Sequence, residues 1–130
     1  MLDVKDLYVS YGQSEALHGI SFVANKNETV AIMGRNGMGK TTLFKSLMGV
    51  LPTKSGQITV AGQEVSKIES YQRVASGIAY VPQGRMIFPT LTVEENIQTG
   101  LENAKHKRIP DEIYALFPVL FDMKHRKGGN

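Results

Sequence analysis

From Leu2 to Tyr11 apolar and polar side chains alternate closely enough to predict a half-exposed strand, and Ile20, Phe22 and Ala24 continue the alternation as its partner. The polar turn Asn25-Lys26-Asn27-Glu28 then leads into Thr29-Val30-Ala31-Ile32-Met33, an unbroken apolar run. A run of that kind predicts a strand buried on both faces, as in a parallel sheet. After a glycine-rich loop, Leu43, Phe44, Leu47 and Met48 recur at helical spacing, and Gly49 is a C-terminal stop. A turn at Lys54-Ser55-Gly56, a short strand from Gln57 to Ala61 and a short helix near Tyr71 to Ala75 follow. Ile78-Ala79-Tyr80-Val81 predicts a second apolar strand, halted by Pro82.

Beyond this point the pattern turns helical. Thr92 with Glu95 three residues on is a capping-box signature, predicting a helix to about Leu101. Ile109-Pro110-Asp111-Glu112 places proline early and acids at the positive end of another helix, which Phe117-Pro118 interrupts. No internal repeat or low-complexity segment is present.

Composition narrows the picture modestly. The 130 residues are 42% hydrophobic, ordinary for one globular domain. No cysteine is present, which excludes disulfides and thiolate metal sites. The N-terminus is charged, without an apolar signal core, and no apolar run approaches a membrane span. The net charge is +3, with basic clusters at Lys105-His106-Lys107-Arg108 and Lys124-His125-Arg126-Lys127. Without interleaved aromatics these read as solvated loop and helix ends, and no nucleic-acid partner is expected. His18, His106 and His125 show no ligand spacing with one another or with acids.

The chemistry lies in the glycine-rich loop. Gly34-Arg35-Asn36-Gly37-Met38-Gly39-Lys40-Thr41 matches GxxxxGK[ST] in full, between an apolar run and a helix. Its glycines let backbone N–H groups turn inward as a nest for phosphate oxygens. Lys40 supplies a point charge for the outer phosphates, the Thr41 hydroxyl can ligate Mg²⁺, and the helix adds its dipole. A nucleotide-phosphate site is the reading. A soluble P-loop kinase or GTPase is an alternative, but Asn25-Lys26-Asn27-Glu28 only imitates the guanine motif NKxD and precedes the loop.

Four features resemble the ATP-binding subunits of ABC transporters over essentially the whole chain. They are Tyr11-Gly12, the Gly34–Thr42 segment (the Walker A loop), Tyr80-Val81-Pro82-Gln83 (the Q-loop), and Leu91-Thr92-Val93-Glu94-Glu95-Asn96. The resemblance implies an α/β fold, a P-loop NTPase of the ABC ATPase type, truncated to its N-terminal half. An antiparallel β-subdomain and the partial core would fill residues 1–83, and the Q-loop and the start of a helical subdomain residues 84–130. It further implies ATP and Mg²⁺ as cofactors. Tyr11 would stack on the base beside Ala16, and Gly34, Asn36, Gly37, Met38, Gly39, Lys40, Thr41 and Thr42 would hold the phosphates. Thr41 and Gln83 would contact the metal, Gln83 also positioning the attacking water. Met38 stands where the loop usually carries a smaller residue, and is expected to point aside from the phosphates.

Partners implied are a second ATP-binding subunit, identical or not, and transmembrane permease subunits docked on Arg85–Pro89, where Ile87 and Phe88 form an apolar pair. The implied location is peripheral, on the cytoplasmic face of the inner or plasma membrane. The segment 81–96 resembles importers of branched-chain amino acids and of urea or short amides, and 110–120 with 126–130 tilts the resemblance toward the urea branch. The resemblance also implies that parts are missing: no LSGGQ-like signature loop, Walker B Asp-Glu or switch histidine occurs. At Val119-Leu120-Phe121-Asp122 the next residue is Met123, where a catalytic glutamate would stand. The expectation is therefore a transport ATPase whose 130-residue piece hydrolyses ATP negligibly, or else a non-catalytic nucleotide-binding module.

Overall fold

The computed structural model describes residues 1–84 and 86–129. Arg85 and Asn130, named above in the docking segment and the closing segment, lie outside the described residues. The chain forms two compact units, 1–80 and 81–130.

The first unit is built on a sheet of order β2-β1-β3-β4, antiparallel throughout. Its strands are β1 (Leu2–Tyr11), β2 (Ser14–Ala24), β3 (Ser55–Val60) and β4 (Gln63–Glu64). The last two-residue strand left no readable signal. β1 does not alternate cleanly: Val4, Leu7 and Val9 are the buried positions, so the inward phase slips between Val4 and Leu7. A bulge at Asp6 (φ +46°) makes the slip, with register shifts against both neighbouring strands. The Asp6 N–H is satisfied by Ser21 Oγ at 2.8 Å. Opposite the bulge sits Gly56 (φ +102°), where a Cβ would lie 2.4 Å from the Asp6 carbonyl oxygen. Only glycine closes that turn.

Helix α1 (Lys40–Leu47) packs against the sheet through Leu43 and Leu47, which join Val4, Leu7, Val9, Leu17, Ile58, Val60 and Val65 in the core. Phe44, expected on the inner face, is 41% exposed, and Ser46 takes a fully buried place instead, its hydroxyl donating to the Thr42 carbonyl at 2.8 Å. Gly49 (φ +73°) follows the helix as a left-handed terminator. Helix α2 (Ser70–Ala75) starts at a capping box formed by Glu69 and Gln72.

The two apolar runs behave differently from the expectation. Neither 29–33 nor 78–81 takes part in a strand ladder among the described residues, and Met33 is 90% and Val81 91% exposed. A strand buried on both faces exists only where neighbours hydrogen-bond to its edges, and no described strand pairs with either run.

The second unit carries α3 (Val93–Thr99), α4 (Asp111–Leu116) and α5 (Pro118–Asp122). Thr92 and Glu95 form the expected capping box: Glu95 N–H donates to Thr92 Oγ1 at 3.2 Å, and Thr92 N–H to Glu95 Oε2 at 2.7 Å. Helix α3 ends at Thr99, two residues short of the prediction, with Gly100 as its C-cap. Pro110 is the N-cap of α4 rather than a residue inside it, and Pro118 opens a new helix. Asp122 ends that short helix, so its flank is helical and not a Walker B strand. Tyr114 meets Phe121 edge to face, with Lys124 above the Phe121 ring. No helix among the described residues is long and apolar enough to cross a membrane.

Candidate nucleotide site

The phosphate loop is shaped by its glycines. Gly37 (φ +83°) and Gly39 (φ +85°) take left-handed backbone, and Gly39 is the N-cap of α1 without any side-chain cap. The first helical hydrogen bond runs from Leu43 N–H to the Gly39 carbonyl at 2.8 Å. The amides of the first turn therefore have no acceptor within the helix, as an anion-binding N-terminus requires. A Cβ on Gly39 would lie 2.8 Å from Leu17 Cδ2 and 3.0 Å from the Ala16 carbonyl. The loop is thus pressed directly onto β2.

Lys40 Nζ donates to the Gly34 carbonyl and to the Arg35 carbonyl, the latter at 2.7 Å. The ammonium thus braces the loop from within. Thr41 is exposed at the helix start, whereas Thr42 is buried. Gly34 and Asn36 are exposed on the loop.

A cleft of about 520 Å³ brings Tyr11, Ala16, Gly37, Met38, Gly39 and Thr42 together. Tyr11 closes the β1–β2 hairpin opposite Ser14, half exposed, and lines the cleft. Met38 lines the same cleft and is largely exposed. Gly34, Asn36, Lys40 and Thr41 do not line it, and Lys40 borders a neighbouring cleft of about 250 Å³ with Met38 and Gly39.

Glu15 and His18, which line the cleft, join Lys54 outside it in a polar cluster that the sequence did not disclose. His18 Nδ1 lies 3.1 Å from Glu15 Oε2, and Lys54 Nζ is 2.5 Å from Glu15 Oε1. His18 is thus not isolated from acids. Residues three apart on a regular strand face opposite sides, but a register irregularity beside Ser10 and Glu15 brings the pair together. The Lys54 hydrogen bond and charge hold the Glu15 carboxyl below its usual range, and His18 adds to this. Glu15 and Lys54 lie far apart in sequence, on β2 and just before β3, so no local pattern could pair them.

ATP fits the donors present: a glycine nest, one ammonium, one free hydroxyl and an aromatic face. Mg²⁺ fits less fully, through the Thr41 hydroxyl and the phosphates themselves. Among the described residues no group of His, Cys, Asp and Glu could hold a metal unaided. Gln83 belongs to the second unit and is exposed. In that unit the Asn96 side chain accepts from Phe88 N–H at 2.8 Å and donates to the Phe88, Leu91 and Thr92 carbonyls. It props up a loop on which Met86, Ile87 and Phe88 stand exposed.

A family model described as ABC transporter matches residues 17–127. A probable branched-chain amino acid transport ATP-binding protein, LivF, from Archaeoglobus fulgidus is 35% identical, the match covering 99% of this chain and 56% of the relative. The high-affinity branched-chain amino acid transport ATP-binding protein BraG of Pseudomonas aeruginosa is likewise 35% identical, over 99% of this chain and 57% of its own length. The chain spans about half the length of the curated relatives it matches. Among solved structures, an ATP-binding subunit of an ABC transporter superimposes with a TM-score of 0.83 at 26% identity, over 98% of this chain and 54% of that one. A bacterial ABC transporter cassette solved as a dimer shares the fold, with a TM-score of 0.78 at 20% identity, over 98% and 61%.

Proposed function

The chain belongs to the ABC transporter family, and from that premise we propose that it binds ATP with Mg²⁺ and forms part of the energy-coupling subunit of an importer. The observation that carries the reading is the cleft lined together by Tyr11 and the glycines of the loop. Tyr11 takes the base, a contact tolerant of base identity, with Ala16 beside it. The backbone from Gly34 to Thr42, including Asn36 and Met38, wraps the phosphates, and Lys40 exchanges loop carbonyls for the outer phosphate oxygens. Mg²⁺, when bound, would supply charge neutralisation for the transferring phosphoryl. Thr41 is the residue of the first unit proposed to hold it, through its hydroxyl.

The whole protein is proposed to hydrolyse ATP with a second ATP-binding subunit, peripheral to the membrane on its cytoplasmic face. The exposed apolar residues Met86 to Phe88, braced by Asn96, are proposed to dock a permease subunit. For the solute, branched-chain amino acids are supported by the names of two relatives. Urea or short amides rest on the sequence resemblance of 110–120 and 126–130 alone.

Titration of the 130-residue chain with a fluorescent ATP tests the site. Micromolar binding, weakened at least tenfold by Lys40→Ala and by Tyr11→Ala, with no strict preference for GTP, is expected. Strict guanine selectivity would favour the GTPase alternative, and no ATP binding would remove the reading.

A further inference from the structure

Arg73 is a buried charge that the nucleotide site does not use. It stands on α2 only 3% exposed, and every hydrogen bond of its guanidinium goes to a backbone carbonyl. Nε donates to Ile68 at 3.0 Å, one terminal nitrogen to Ser46 at 2.8 Å and Leu47 at 3.0 Å, and the other to Ser66 at 2.8 Å. Burial draws its pKa down, and Glu69 opposes this through charge alone. Gly49 leaves the room for it: a Cβ there would lie 2.8 Å from Nε. The Arg73 carbonyl in turn accepts from Ile78 N–H at 3.3 Å, the first residue of the run toward Gln83.

Ser46 and Leu47 end the helix that the phosphate loop opens. That helix has eight residues, a rod of about 12 Å, so whatever fixes its far end fixes the loop's attitude. A buried cation without a carboxylate partner is a costly way to fill space, and an apolar residue of similar volume often does better. The carbonyl fork at the negative end of a helix offsets part of that cost and adds fixed geometry.

We propose that Arg73 is a positioning residue for the phosphate site, clamping the C-terminal end of α1 to the segment 66–68 and to the start of the run at Ile78. The proposal rests on the nucleotide reading above. Its signature is a loss confined to the phosphate part of the ligand.

The test titrates the 130-residue chain with ATP and adenosine carrying the same fluorescent reporter, in wild type, Arg73→Lys and Arg73→Leu. Lysine keeps the charge but loses the fork, so ATP affinity should fall roughly tenfold while adenosine affinity holds within about twofold. In Arg73→Ala, millimolar methylguanidinium should restore ATP affinity. Equal losses for both ligands, in step with a falling melting temperature, would reduce Arg73 to a stability role and overturn the proposal. So would wild-type ATP affinity in a folded Arg73→Leu. If wild type itself binds no ATP, or Lys40→Ala changes nothing, the nucleotide reading fails first.

Discussion

Gly39 answers two constraints at once, a left-handed backbone and a close seat against β2. Gly37 answers only the first, since a Cβ there would meet nothing within 4 Å. Gly37→Ala should therefore lose about 1–3 kcal/mol through backbone strain, and Gly39→Ala more, because Leu17 and the Ala16 carbonyl must also give way. Urea melts of the two variants measure the difference, and equal losses would contradict the packing argument. The left-handed glycines of the loop were legible, because the GxxxxGK[ST] pattern places its residue types at fixed spacing. The Glu15–His18–Lys54 cluster and the burial of Arg73 were not, since long-range pairing and burial leave no local pattern.

Among the elements, α3 shows how much a cap decides. The Glu95 carboxyl is held below its ordinary value first by the Thr92 N–H and then by the Thr92 hydroxyl. A lowered folded-state pKa means stabilisation that is present above the unfolded value near 4.5 and lost as pH falls through the folded one. Acidification from pH 5 to pH 3 should therefore lower the helical signal of wild type more than that of Glu95→Gln, whose amide can accept the same bond at every pH. Identical acid profiles by circular dichroism would discount the cap. The Thr92 signature was readable because both partners lie within one turn. The Asp6 bulge was not, since the residue that fits against it, Gly56, lies on another strand.

At the scale of the molecule, apolar surface is distributed unevenly. The first unit has a continuous core, whereas in the second Leu116, Phe117, Val119 and Phe121 all stand exposed and Ile109 is buried. With Met33 and Val81 also open, the 130-residue chain is expected to self-associate at rising concentration, which light scattering would register. Hydrolysis should be negligible as well, because no carboxylate in this sequence occupies the place of a Walker B acid. Mg²⁺-dependent phosphate release abolished by Lys40→Ala would contradict that expectation.

The sequence by itself determined the phosphate loop, the flanking helix, the β-hairpin that carries Tyr11 and the cap of α3. Each depends on neighbours within a few residues, so local chemistry suffices to specify it. Only the tertiary structure decided that Tyr11 and the loop share one cleft, that Arg73 grips the far end of α1, and that the runs at 29–33 and 78–81 carry no ladder. An apolar strand states a need for partners, but only the fold determines whether partners stand beside it.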